Sequence, residues 1–537
     1  VRKAQSEWSS NDIWDYVIIG SGFGGSVSAL RLAEKGYRVL VLEQGRRWRD
    51  QDFAKTNMDL RRSLWVPILR CFGILKFSVF RHLMVVHGVG VGGGSLVYAN
   101  THLRPAAAFY DAAESQGLGH LRTELEPFFD RAEKMLGVTD WTIMTPADEV
   151  LKQVAREMGQ EQSFKLTRVG VFLGEAGKTV ADPYFNGEGP PRTGCTHCGS
   201  CMTGCRVGAK NTLVKNYLYL AERRGVHVQD QCRVVDIKPN RMGGYEVFVV
   251  PSTALWPRKY LIRAHNIVMS AGCIGTVNLL LRCKYSSRSL PHLSAKVGDQ
   301  VRTNSEAITG VMEPGGLTER DHSQGIAITS QFKPDDVTTV EPVRYGPGSH
   351  LIRSLVAPAG DGYHWAQRVL SSAKTWISQP RELKKIFWIK DWSRRTFLLL
   401  VMQHVDNRLK FRLGRSFLTC FRRGLVTEAE IQNMAPAYIP VANEVTRAVA
   451  KHVRGIPLNG IPDLTMGLAT TAHLIGGASM GRTPADGVIN DRHEIFGYPG
   501  LYVIDGAAIP ANLGVNPSLT ITAMAERAMS FIPSKVL

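Results

Sequence analysis

The sequence predicts an α/β protein of two lobes: a discontinuous dinucleotide-binding unit and an α+β unit built on a mainly antiparallel sheet. Three observations carry this. A strand–glycine turn–helix–strand pattern opens the chain, that pattern fades after about Lys296 into short β-like runs and longer connections, and a buried strand followed by a glycine and a helix returns at the end. At 537 residues the chain is long enough for more than one core. With 44% hydrophobic and 21% charged residues, it is not disordered, collagenous or coiled-coil.

The opening unit is YVIIGSGFGGSVSALRLAEKGYRVLVLEQG, in which Gly20, Gly22 and Gly25 supply the GxGxxG spacing. Gly20 makes the tight turn, Gly22 admits a pyrophosphate close to the backbone, and Gly25 lets the helix pack against the sheet. The amino end of the helix then faces phosphate. Glu43, ending VLVLE, stands where a carboxylate accepts from a ribose hydroxyl, which disfavours a phosphorylated ribose. These residues alone do not separate FAD from NAD.

Three later stretches narrow the choice. GVGVGGGSLVYANTHLRP brings a glycine run with Gly93 and Gly94, then Ser95 and Asn100. YLIRAHNIVMSAGCIGTVNLLL reads as a strand ending at Ser270–Gly272 before a helix, and LYVIDGAAIPANLGVNPSLTITAMAERAMSFI places Asp505 and Gly506 after a buried strand and Asn516 before the last helix.

In this order the four pieces resemble the glucose–methanol–choline (GMC) flavoprotein oxidoreductases, over roughly Asp15 to the C-terminus, and within them the sterol-oxidising bacterial branch. The resemblance implies a discontinuous Rossmann-like FAD-binding domain at 12–110, 210–295 and 456–537. It further implies a lid and cysteine-rich connection at 111–209 and a substrate-binding domain at 296–455. FAD is then held through Gly20, Gly22, Gly25 and Glu43, approached at the flavin by Gly93, Gly94, Ser95 and Asn100, and covered by Asp505 and Gly506. His473, in TTAHLIGGASMG, matches the histidine that orients the substrate hydroxyl or takes its proton, and Asn516 matches the asparagine beside flavin and hydroxyl. An imidazole suits the first task because hydride leaves an alcohol more readily as its hydroxyl loses its proton. A helix cap is the other physical use for Asn516.

The implied activity is oxidation of the 3β-hydroxyl of a sterol or steroid, with molecular oxygen or an unidentified acceptor taking the electrons; a 3-ketosteroid desaturase or an oxidoreductase of another bulky alcohol is the alternative. Family members also shift a steroid double bond with a glutamate. FLLLVMQHVDNRLKF puts Asp406 near that position, and Glu341 in VEPVRYGPGS is the second candidate.

Cys195, Cys198, Cys201 and Cys205 are spaced C-x2-C-x2-C-x3-C, as in an iron–sulfur ferredoxin run, although Arg206 replaces the usual proline and no second run is present. An iron–sulfur cluster, a structural zinc and a packed or redox-sensitive thiol loop are the alternatives, with the metal left unassigned. The net charge of +18 favours anionic partners, and with no nucleic-acid reading motif, an acidic membrane surface is preferred to a specific nucleic acid. Leu64–Val86 is apolar but broken by Arg70, Lys76, Arg81 and His82, and reads as a helix or loop over another lobe or on a membrane rather than across one. The first residues lack the apolar core of a secretory signal, so the expectation is a cytoplasmic protein, with peripheral membrane contact as the alternative.

Overall fold

The computed structural model describes residues 12–115, 119–314, 320–389 and 391–536. The strand Ile13–Ile19 lies at the centre of the first sheet, with its last four residues buried. It pairs in parallel with Val39–Leu42 on one side and with Tyr260–Met269 on the other. Such two-sided burial is why these segments read as continuous apolar runs. His227–Gln229 adds a further parallel strand beyond Val39–Leu42. The long strand Tyr260–Met269 divides its partners: Ile267–Met269 runs parallel to Leu501–Val503, whereas Tyr260–Ala264 runs antiparallel to Tyr245–Val249. Residues far apart in the chain thus build one sheet.

The helices Phe23–Glu34 and Ser518–Ser530 pack together. Between them Arg31 reaches the fully buried Glu526 at 2.8 Å, and the Tyr217 hydroxyl donates to the same carboxylate at 2.7 Å. A carboxylate this deep depends on such partners, so losing Arg31 would cost about 3–5 kcal/mol.

The second sheet is wholly antiparallel, in the order Thr338–Val343, Thr396–Gln403, Ala307–Met312, Ile456–Gly460, Val356–Pro358. One face carries Phe397, Leu399, Val401 and Val340 against the helices Pro146–Glu157 and Pro440–Val453. Because strand side chains alternate, Leu398, Leu400 and Val343 point the other way, into a cavity shared with the first lobe. Glu341, between Val340 and Val343 and opposite Leu400, belongs to that same face.

The Leu64–Val86 stretch differs from expectation. It forms short strands, among them Trp65–Val66, Cys71–Phe72, Leu75–Val79 and the start of Leu83–Gly88. Of its charges only Lys76 lies within a strand, whereas Arg70 closes the short turn Pro67–Leu69 and Arg81 and His82 form the bend between Leu75–Val79 and Leu83–Gly88. Among the described residues no helix is long and apolar enough to cross a membrane.

Candidate active site

A cavity of about 600 Å³ begins at the glycine turn and ends beneath the second sheet. At its first end Gly20 adopts φ +101°, and a Cβ there would lie 2.2 Å from the Ser270 carbonyl oxygen. A Cβ on Gly25 would lie 2.1 Å from the Gly20 carbonyl oxygen, so this glycine lets the helix seat against the turn. Gly22 is different: a Cβ there meets no protein atom within 4 Å, because the position faces the cavity just before the helix begins. A second glycine loop closes on it, with Gly93 at φ +53° and its Cβ position 2.6 Å from the Gly22 Cα.

Glu43 is buried in the wall of this cleft. Its carboxylate accepts from Ser21 Oγ at 2.7 Å, Ser21 N at 3.2 Å and Gly45 N at 2.8 Å. Burial raises its pKa against these hydrogen bonds. Oε2 takes both Ser21 donors, so Oε1 is the oxygen that can accept from a ribose hydroxyl. Asp505 is held in a similar way by Thr276 Oγ1 at 2.5 Å and Ala507 N at 2.8 Å, and burial pushes its pKa up to about 6. Asp505, Gly506, Gly93 and Gly94 all line the cavity. The open face at Gly22, the pre-held Glu43 and the glycine-walled length of the cleft fit a dinucleotide.

Two residues of the glycine segment stand behind the wall instead of in it. Ser95 Oγ donates to the Gly92 carbonyl at 2.7 Å and accepts from Leu213 N at 3.0 Å, so its hydroxyl pins the loop. Asn100, at φ +70°, is buried, and neither atom of its side-chain amide has a hydrogen-bond partner among the described residues.

At the far end the structure brings His473 and Asn516 together and adds two carboxylates. His473 Nδ1 lies 2.7 Å from Glu306 Oε1. Glu306 is itself fixed by Thr471 Oγ1 at 3.0 Å and Ala472 N at 2.7 Å. Burial opposes a positive charge on His473, but Glu306 and Glu341 outweigh it, and its pKa is raised above the ordinary value. The first carboxylate holds the ring by Nδ1 and leaves Nε2 as the working nitrogen. Asn516 Nδ2 donates to Glu341 Oε2 at 3.4 Å. The following helix has Pro517 at its cap position with no side-chain cap, so capping is not the use of Asn516. Glu341 is fully buried, its Oε1 has no partner among the described residues, and burial pushes its pKa up to about 7 despite Asn516 and His473.

Asp406 is not part of this cluster, which corrects its expected position. It lies three residues past the end of Thr396–Gln403, half exposed, in a separate basin. Arg302 Nε at 3.0 Å and Arg408 NH2 at 2.6 Å hold it, and although burial pulls its pKa up, these two guanidinia keep it below the ordinary value. Glu341, bonded to Asn516 of the cavity wall, is the carboxylate beside the cavity end. Glu306, which the sequence reading passed over, opens the strand Ala307–Met312; its one visible signal is an acid at the start of an apolar run.

The four clustered cysteines line one small cavity with Lys210, whose ammonium donates to the carbonyls of Cys201 at 2.8 Å and Leu96 at 3.1 Å. Burial pushes the Cys195 thiol up to about 12 and the Lys210 ammonium down to about 8. Among the described residues no three His, Cys, Asp or Glu side chains are arranged to hold a metal ion.

A cleft that fits a dinucleotide runs into an apolar chamber, with an imidazole, an amide and carboxylates grouped near their junction. The chain belongs to the GMC oxidoreductase family: the family's amino-terminal model matches residues 14–168 and 191–300, and its carboxyl-terminal model matches residues 411–525. It is similar to the cholesterol oxidase of Mycobacterium tuberculosis, 45% identical over 97% of this chain and 91% of the relative. The similarity to the cholesterol oxidase of Acinetobacter baumannii is 42%, over 98% and 95%. A solved structure of pyridoxine 4-oxidase from Mesorbium loti shares the fold at TM-score 0.61 and 14% identity, covering 96% of this chain and 99% of that one.

Proposed function

We propose that the protein oxidises the 3β-hydroxyl of a sterol by hydride transfer to bound FAD, with oxygen as the electron acceptor. The observation that carries this is the His473–Glu306 pair placed where the dinucleotide cleft meets the apolar chamber. Phe77, Ile308, Ile328, Leu398 and Leu400 line that chamber, a surface suited to a fused-ring hydrocarbon. The similarity to two cholesterol oxidases over nearly the whole chain supports the same substrate class.

In this reading Gly20, Gly22, Gly25 and Glu43 hold the adenosine and pyrophosphate end of FAD, while Gly93, Gly94, Asp505 and Gly506 enclose the rest. FAD supplies the hydride acceptor. Asn516 positions the substrate oxygen with its amide. His473 Nε2 receives the hydroxyl proton, and Glu306 stabilises the imidazolium that forms. Glu341 then serves the double-bond shift: as a carboxylate it takes a proton from one ring carbon, and as the acid it returns it to another. A group that titrates near 7 is suited to both halves.

The apolar chamber also requires a route for a water-insoluble substrate. The helices Trp365–Ser378 and Pro380–Trp388 leave Leu370, Ile377 and Trp388 exposed beside Lys374, Arg381 and Lys384. In our reading this surface rests on an anionic membrane. The test of the activity is product analysis after aerobic turnover of cholesterol. A conjugated 3-ketone with hydrogen peroxide supports the reading, and unchanged cholesterol beside FAD-loaded protein overturns it.

A further inference from the structure

The segment that ends at Asn516 in the cavity wall begins at Ala511 and Asn512 in the wall of a second basin, of about 640 Å³. Nothing in the oxidation chemistry uses this basin. Its walls are polar and cationic, with Arg302, Arg408 and Arg482 set against Asp406 and Asp486.

Arg302 is the buried member, with 3% of its side chain exposed. Its Nε donates to Asp406 at 3.0 Å, NH1 to the Gln300 carbonyl at 3.0 Å and NH2 to Gln300 Oε1 at 2.9 Å. A guanidinium carries five N–H donors, so two remain for a ligand. Arg408 shares Asp406 with it, and that single carboxylate cannot neutralise both. Arg482, exposed at the rim, makes no ion pair among the described residues, and Asp486 is engaged by Thr483 Oγ1 at 2.8 Å.

A second observation points the same way. Ser479, only 7% exposed, lines the basin, and its hydroxyl has no partner among the described residues. A buried hydroxyl without a partner is costly, and a ligand that accepts from it removes the cost. Spare guanidinium donors, an unpaired hydroxyl donor and a surplus of positive charge ask for one kind of ligand, an acceptor with negative charge.

We propose that this basin is a binding site for a small oxyanion, a carboxylate or phosphate group, gripped by Arg302 and Ser479 with Arg482 at the entrance. The site is independent of which alcohol the enzyme oxidises.

The test uses the FAD-loaded protein and two probes, sodium phosphate and sodium acetate, each compared with sodium chloride at matched ionic strength and pH. Thermal denaturation followed by flavin fluorescence should show a saturable stabilisation by one or both probes that chloride does not give. The stronger probe identifies the group as phosphate or carboxylate. Ser479→Ala and Arg482→Gln should each weaken that binding about tenfold, the expected loss of one hydrogen bond or charge contact to an anion. In chloride Arg482→Gln should keep the melting temperature of the parent and Ser479→Ala should match or exceed it, because it removes the unpaired hydroxyl, and both should keep the parental flavin spectrum. A response no different from chloride, or one that both variants retain unchanged, overturns the proposal.

Discussion

Glu306→Gln removes one charge from the proposed proton-transfer pair and leaves the size of the side chain unchanged. At the 2.7 Å separation of Glu306 Oε1 and His473 Nδ1, two full charges attract by about 6 kcal/mol at an effective dielectric of about 20. Competing hydrogen bonds reduce the part expressed in titration to about 1–3 pKa units, or about 1.4–4 kcal/mol. The His473 pKa is raised in the parent, so its basic form is populated only above the ordinary histidine range. Flavin reduction should therefore rise with pH through that raised value. In the variant the rising limb should move to lower pH, because the imidazolium has lost its stabilising anion. The plateau should fall as well. The Ala472 amide, which now donates to Glu306 Oε2 at 2.7 Å, will take the Gln carbonyl and turn the amide NH2 toward Nδ1. That favours the tautomer with the proton on Nε2, the nitrogen that must accept one. A loss of about 10²-fold or more follows if Nε2 is the base. Stopped-flow anaerobic flavin reduction over a pH series measures both effects, with flavin content and melting temperature as controls. Glu306→Asp should recover part of the rate. A Gln variant with parental rate and unshifted pH limb would refute the pairing as a functional device.

Other predictions follow from the same geometry. His473→Ala should retain FAD but slow anaerobic flavin reduction by about 10²–10⁴-fold; unchanged reduction kinetics would remove His473 from the chemistry. Glu341→Gln should leave alcohol oxidation and abolish the double-bond shift, so a non-conjugated 3-ketone accumulates in chromatographic analysis. Since the Glu341 carboxyl titrates near 7 when folded and near 4.5 when unfolded, the native state holds the extra proton between those values. Its stability should decline as pH rises through that window, by at most about 3 kcal/mol, and the Gln variant should flatten the decline in chemical denaturation. Gly93→Ala places a Cβ 2.6 Å from the Gly22 Cα at a backbone φ of +53°, so the purified variant should carry little flavin by absorbance. Sedimentation with anionic vesicles at low ionic strength should capture the protein, and Trp388→Ser with Ile377→Ser should release it.

The parts of the site legible in the sequence are those made by local rules. A GxGxxG turn works only if strand, turn and helix are contiguous, so Gly20, Gly22, Gly25 and Glu43 could be assigned from one segment. His473 and Asn516 gained meaning from the segments around them. The Glu306–His473 contact could not be read, because it depends on where the second lobe seats its strand Ala307–Met312 against the segment after Ala469–Thr471. The choice between Asp406 and Glu341 turned on strand parity and strand ends: Glu341 sits within a strand on the cavity face, whereas Asp406 lies past the end of its strand, between two arginines. The cysteine spacing left a metal and a packed thiol loop open; the four cysteines do share one small cavity with Lys210, and no metal-holding group is found among the described residues. Ser95 belonged to the right loop, but which side of the loop its hydroxyl occupies is decided by Leu213, more than a hundred residues away.

The most direct test of the central claim is the absorption spectrum of the FAD-loaded protein in an anaerobic cuvette, recorded before and after cholesterol is added and again after air is admitted. Cholesterol should bleach the oxidised flavin bands, and air should restore them. Flavin bands that remain oxidised in the presence of cholesterol would contradict it.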